Sequence, residues 1–325
     1  MRGGKSSEYN VSLQTGRAVL ANLPEDKYQA MDILVDREGV WHLNGLPMTR
    51  EDLEKRVDVV FNTLHGQYGE DGQVAKFFQE IGIPYVGGEE ISSLKSLDKN
   101  QTKKLFEEIG IKTPKHHFIS WDQYFAESEN FIENKAYEAF RKITPPWVVK
   151  PLHGGSSINT YFARNYTELA QAIEKVLESR DSVLIEEYIN GREIFAGVIE
   201  NFRDQDFYPL IPMEILKNKE IFDHESRASG DYRIIPTQNI GRNEKELIQD
   251  LAVKIHKHFG LRNCSTVDFI LSPKGIFALE VDNCPALHEY ALMPKALENI
   301  GSQLPHFLDH LITLVLHQNE EKNIR

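Results

Sequence analysis

Apolar positions in the first third of the chain fall in short blocks at residues 31–35, 57–64 and 83–86, separated by polar stretches and preceded by a helical pattern at Val11, Leu13, Val19 and Leu20. Short apolar strands alternating with helical segments are the rhythm of a parallel α/β sheet, and residues 1–90 are predicted to form such a unit. The chain opens on Gly3-Gly4-Lys5-Ser6-Ser7-Glu8, a turn of the kind that follows a first strand and starts a helix near Ser6 or Ser7. No apolar block precedes it, so this unit is expected to lack its first strand. Gly87-Gly88 ends the third block, and residues 91–109 then read as one helix carrying Lys99, Lys103 and Lys104. Between Pro114 and Pro145-Pro146, residues 121–139 read as a solvated amphipathic helix. Near the other end, VDFILSPKGIFALEVDNCP (267–285) reads as two strands joined by a turn at Ser272, Pro273, Lys274 and Gly275. With the further break before residue 183, the predicted units are 1–90, 91–182 and 183–325.

The polar residues that interrupt these blocks suggest chemistry. Side chains two apart on a strand share a face, so Glu280 and Asp282 point the same way, and hairpin pairing brings Asp268 alongside them. Three carboxylates converging in an apolar hairpin resist ionisation unless a cation offsets them, and an all-oxygen set suits Mg²⁺ or Mn²⁺. The plain alternative is a hairpin whose acids face water. In PWVVKPLHGGSSI a strand delivers Lys150, followed by a Gly154-Gly155-Ser156-Ser157 turn whose backbone can wrap phosphate oxygens while the lysine meets their charge. No lysine follows the glycines, which disfavours a P-loop. Glu186 and Glu187 interrupt an apolar strand at 183–189, a costly placement unless a ribose or amino group uses them or one faces water. The second apolar block ends in HGQYGEDG, which places His65, Gly66, Gly69 and Glu70 at the carboxyl end of a strand, where open parallel sheets bind ligands; as plain structure it is a glycine-rich turn opening a helix.

Composition narrows the class. A chain of 325 residues with 41 % hydrophobic content can bury two or three packed units. Its 37 basic against 49 acidic residues, net −12, disfavour general binding to nucleic acid or anionic membranes while leaving room for a small anionic ligand in a local basic pocket. There is no apolar run of about 18 residues and no charged-then-apolar leader. Cys264 and Cys284 lack metal spacing and are expected as free buried thiols, so a cytoplasmic location is expected.

In order, HGQYGEDG, LDKNQTKKLF around Lys99, VVKPLHGGSSI, LIEEYINGREI and VDFILSPKGIFALEVDNCPAL resemble the motifs of D-alanine–D-alanine ligases, members of the ATP-grasp superfamily, over Gly3 to about Leu316. The resemblance implies a three-domain α/β ATP-grasp architecture and an enzyme in which ATP phosphorylates one D-alanine to an acylphosphate. A second D-alanine then attacks it, giving D-alanyl-D-alanine for peptidoglycan. It implies Lys99 and Lys150 as phosphate lysines, Glu186, Ile189 and Glu193 as adenine and ribose contacts, and Asp268, Glu280 and Asp282 as ligands of two Mg²⁺ (or Mn²⁺) ions. Glu8 resembles the residue that holds the first substrate's ammonium, with His65 lining that pocket, Ser156 positioning the substrate, and Arg227 in place of a phosphate-facing lysine. A homodimer through the N-terminal region is also implied. Departures cluster on the acceptor side: Thr266 stands where an arginine is usual, Ala286 for a glycine, Ala228 for a tyrosine, Ala291 for a serine and Asn159 for a glycine, while Asp282 stands for an asparagine. They keep open a ligase with another amino-acid or D-hydroxy-acid acceptor, or a catalytically silent ATP-binding homologue.

Overall fold

The structure is a computed structural model and describes residues 1–126, 130–222 and 232–324. Its N-terminal unit begins with a strand after all. Arg2–Gly3 pairs parallel with Ile33–Val35, Arg2 opposite Leu34 and Gly3 opposite Val35. The strand is only two residues long, an arginine and a glycine, so it leaves no apolar signature to read. Gly3, at φ +96°, lies so close to the neighbouring strand that a Cβ there would sit 2.1 Å from the Val35 carbonyl oxygen. The unit is also less parallel than predicted. Ile33–Val35 pairs antiparallel with Trp41–Leu43, which pairs with Leu46–Pro47. The turn between them is Asn44-Gly45, both at positive φ (54° and 80°), a two-residue hairpin signal present in the sequence. A separate parallel pair, Val60–Phe61 with Tyr85–Val86, carries the HGQYGEDG turn at its end.

The middle sheet runs in the order His116–Ile119, Val183–Glu187, Trp147–Pro151, Tyr161–Ala163, all antiparallel. Helices Phe131–Lys142 and Tyr166–Glu178 cover one face through Ala136, Leu169, Ile173 and Val176 against Trp147, Val149 and Ile185. Burying a side chain of that size stabilises by about 1.5–3 kcal/mol. The helix expected at 121–139 is two helices, Trp121–Ala126 and Phe131–Lys142, and residues 127–129 lie outside the description.

In the C-terminal sheet the order is Tyr232–Pro236, Met213–Lys217, Arg192–Phe202, Cys264–Ser272, Gly275–Asp282, with Gln205–Pro209 added on Arg192–Phe202. Helix Arg242–Phe259 packs one face, and helices Leu292–Asn299 and Leu304–Ile324 pack the other. Val19 and Val86 join this second core, so the N-terminal unit docks on the same face.

The lysine-bearing helix also differs from the reading. It breaks at Asp98, whose side chain accepts from the Gln101 backbone N–H at 2.9 Å and caps Lys99–Glu108 as a helix of its own. That helix was placed with the middle unit, but its Phe106 is fully buried against Phe259, Val267 and Phe269 of the C-terminal sheet. It therefore belongs to the C-terminal core and presents its lysines across a gap to the middle sheet.

Candidate active site

The gap between the two sheets is a cleft with about 1000 Å³ of open space. Its inner walls are apolar, with Val148 from the middle sheet and Ile215, Ile270 and Leu279 from the C-terminal one, a lining that suits a flat heteroaromatic ring. Ile189 lines it too, packed on Ile270 and Phe277. The glycine turn, Lys99, Lys150, Asp268 and Glu280 line it as well, as does Glu193, ion-paired with Lys217. Lys217 escaped the sequence reading because its strand carries no motif.

Two lysines four apart on helix Lys99–Glu108 share a face and cross to the middle sheet. The ammonium of Lys99 donates to the Gly154 carbonyl. Lys103, fully buried, lies 2.5 Å from one Glu186 oxygen while Lys150 lies 2.9 Å from the other, and Lys103 also donates to the Leu279 carbonyl at 2.9 Å. Burial pushes the Glu186 carboxyl up, but the two ammonium groups outweigh it and hold the pKa at about 2. For Lys103 burial wins over Glu186 and lowers the pKa to about 8. Lys150 is raised: burial lowers it, and Glu186, Glu280 and Asp268 more than reverse that. Glu186 was read as a contact for adenine or ribose; here its carboxylate is taken up by lysines, and its neighbour Glu187 accepts from the Lys115 backbone N–H at 2.8 Å.

The acidic hairpin forms in the predicted register, with Asp268 opposite Glu280 and a bulge after Asp268. Both line the cleft. Asp282, two residues on and opposite Thr266, is half-buried against a different set of groups. Burial, then the nearby Glu70, raises its carboxyl pKa to about 7, and it accepts from the Cys284 backbone N–H at 2.7 Å. The trio is thus split into a pair at the cleft and a third acid facing the N-terminal unit.

That unit supplies the remaining predicted residues. Glu8, 4 % exposed and 147 residues before Gly155 in sequence, accepts from the Gly155 backbone N–H at 3.0 Å and the Ser156 hydroxyl at 2.7 Å. Ser6 holds this turn, donating to the His65 carbonyl and accepting from the Glu8 N–H. A Cβ on Gly66 would sit 2.8 Å from Glu8 and one on Gly155 2.9 Å, so glycine at both positions is what lets the carboxylate fit. Around the glycine turn Ser156, Ser157 and Asn159 adopt positive φ (53°, 54° and 56°). Asparagine tolerates that region, which accounts for Asn159 replacing glycine there. Arg227 and Ala228 lie outside the described residues.

His65 is buried between Thr15, 3.0 Å from its Nε2, and Glu70, 3.3 Å from its Nδ1. Burial alone would lower the imidazole's pKa, but Glu70, with Glu8 and Asp282 beyond it, raises it to about 9. A base raised from about 6.5 to about 9 on folding stabilises fully below 6.5 and loses that contribution as pH climbs through 9. The acids Glu70 and Asp282, both raised by burial, act with the same sign. In metal-free buffer the melting temperature is therefore expected to fall from neutral pH to about 9. His65→Gln should flatten that slope, as followed by thermal denaturation.

Comparison with known proteins agrees with this arrangement. A family model described as D-ala D-ala ligase C-terminus matches residues 105–313, and one described as D-ala D-ala ligase N-terminus matches residues 44–88. A D-alanine--D-alanine ligase of Aquifex aeolicus is 31% identical over 317 residues, covering 96% of this chain and 98% of that protein. Among solved structures, the VanG D-Ala:D-Ser ligase from Enterococcus faecalis aligns with a TM-score of 0.81 at 29% identity, covering 97% of each chain. The D-alanine--D-alanine ligase from Bacillus anthracis complexed with ATP aligns at 0.76 and 27% identity, covering 99% and 97%. Two family models in the expected order and near-complete coverage of a relative, with Lys99, Lys150, Glu186, Asp268 and Glu280 lining one cleft between two sheets, establish that this chain is an ATP-grasp protein and a member of the D-alanine–D-alanine ligase family.

Proposed function

We propose that the protein ligates two D-alanines to D-alanyl-D-alanine at the expense of ATP, through an acylphosphate, for the synthesis of peptidoglycan precursors. One observation carries this reading: the Glu8–Ser156 contact places a buried carboxylate beside the phosphate-facing turn, so an amino acid held by its ammonium can present its own carboxylate to a terminal phosphoryl group. Lys99 and Lys150 lie at that turn to offset polyphosphate charge, and the apolar cleft between the sheets takes the base.

The residues fit a divalent cation. Asp268 and Glu280 face each other across adjacent strands in the cleft, and their donors are all oxygen. Mg²⁺ or Mn²⁺ held there by Asp268 and Glu280 would offset triphosphate charge and orient the transferred group, whereas Asp282, assigned to the same set on resemblance, faces Glu70. The chain's own part is to hold and to exclude water. Glu8 orients the first amino acid, Ser156 fixes Glu8, and Lys99 fastens the glycine turn through Gly154. Arg227 is assigned to the terminal phosphate on resemblance alone.

Thr266, Ala286 and Ala291 favour a second reading, in which the acceptor is another amino acid or a D-hydroxy acid. Thr266 is buried opposite Asp282 and carries no charge. No helix among the described residues is long and apolar enough to cross a membrane; a cytoplasmic site of action belongs to the same proposal, as the place where ATP and peptidoglycan precursors meet. A homodimer is part of the same proposal. ADP release measured with Mg²⁺ over a panel of D-amino acids, L-amino acids and D-hydroxy acids tests it. Stimulation by D-alanine alone is expected. Stimulation only when a different acceptor accompanies D-alanine selects the second reading, and no stimulation by any acid sinks both.

A further inference from the structure

Lys150 has a difficulty that the nucleotide reading leaves open. It is meant to meet phosphate, yet its ammonium lies 2.9 Å from Glu186. A lysine paired one-to-one with a buried carboxylate is a neutral unit and offers little to a polyanion. Glu186 has a second partner, however. Its other oxygen lies 2.5 Å from Lys103, which is 0 % exposed and fixed by the Leu279 carbonyl. The set is two cations on one anion. Lys103 is sealed behind Glu186 and is absent from the cleft lining, whereas Lys150 and Glu186 are part of it.

We propose that Lys103 is a positioning residue for ATP binding: it is the standing counter-ion of Glu186 and so leaves the charge of Lys150 available to the nucleotide phosphates. The proposal rests on the reading of the cleft as a nucleotide site. Lys103 also ties helix Lys99–Glu108, the middle sheet through Glu186 and the hairpin through Leu279, immediately before Glu280. A purely structural role would follow from that tie alone, and the two roles part on the charge of the ligand.

The test measures binding of ATP, ADP and adenosine to the wild-type chain, Lys103→Gln and Lys103→Arg, by calorimetry with Mg²⁺ present. Glutamine keeps a donor for the Leu279 carbonyl and removes the charge; arginine keeps the charge. ATP and ADP are expected to bind Lys103→Gln about tenfold more weakly, a loss the size of one partly screened charge, with adenosine within twofold of wild type. Lys103→Arg should recover most of the ATP affinity, and the salt dependence of ATP binding should be shallower in Lys103→Gln. Equal weakening of ATP and adenosine, or no weakening of ATP, overturns the proposal. A misfolded Lys103→Gln leaves the decision to Lys103→Arg, for which ATP affinity within threefold of wild type supports the charge role and a tenfold loss overturns it. Failure of the wild-type chain to bind ATP would reject the nucleotide reading itself, so the two failures are distinguishable.

Discussion

Replacing Glu280 by glutamine is expected to lower Mg²⁺-dependent turnover by roughly two to four powers of ten while moving the melting temperature by less than about 5 °C. Glutamine matches the carboxylate in size and keeps one oxygen, so the hairpin should pair as before. What it removes is one negative charge from the two that face each other in the cleft, Glu280 and Asp268. That charge also favours the ammonium forms of both lysines: it opposes the burial that lowers the pKa of Lys99 and helps to raise that of Lys150. Its loss weakens the cation site while leaving the lysines less opposed. Raising Mg²⁺ should therefore recover part of the activity, and the recovery curve separates a ligand from a general acid. A kcat within threefold of wild type at saturating Mg²⁺, or a melting temperature that falls in step with turnover, would show the acid to be structural.

Glu8→Gln should be the next most damaging substitution, lowering kcat/KM for the first amino acid by about two to three powers of ten. The carboxylate accepts from Ser156 and Gly155 and still has lone pairs for a substrate ammonium. An amide accepts on one atom only. Its NH₂ would face either the Gly155 N–H or the ammonium, donor against donor, so the variant loses both the charge and a hydrogen-bond partner. Because Glu8 lies outside the apolar part of the cleft, KM for ATP should stay within about threefold of wild type. Steady-state kinetics with each substrate varied in turn distinguishes this from a collapse of the glycine turn, which would raise KM for both. Ser156→Ala, which leaves the carboxylate in place, is expected to cost only about tenfold.

Cys284 and Cys264 illustrate why a residue's worth depends on its surroundings. Both thiols are buried, and burial raises both pKa values, Cys284 well above the ordinary range. They line one small pocket together with Asn62 and Leu287, although the sequence placed them in different contexts.

The acidic hairpin, its turn, the lysine strand with its glycine turn, and the order of the motifs were legible in the sequence. These are local features: a strand alternates every second residue, and a short turn fixes which residues face each other, so Asp268 falls opposite Glu280 without help from the rest of the chain. The two-residue first strand has no side-chain pattern to read, whereas the Asn44-Gly45 hairpin carries its signal in the turn residues themselves.

What only the folded chain decided is which charge meets which. Periodicity puts Lys99 and Lys103 on one face of a helix, but it cannot say that Phe106 carries that helix onto the C-terminal sheet, nor that Glu186 then stands within reach of Lys103. The same holds for Glu8 meeting Ser156 and for Asp282 turning to Glu70 and away from the cleft. Such contacts join residues far apart in sequence. Their strength comes from burial, a property of the packed molecule that no stretch of residues possesses by itself.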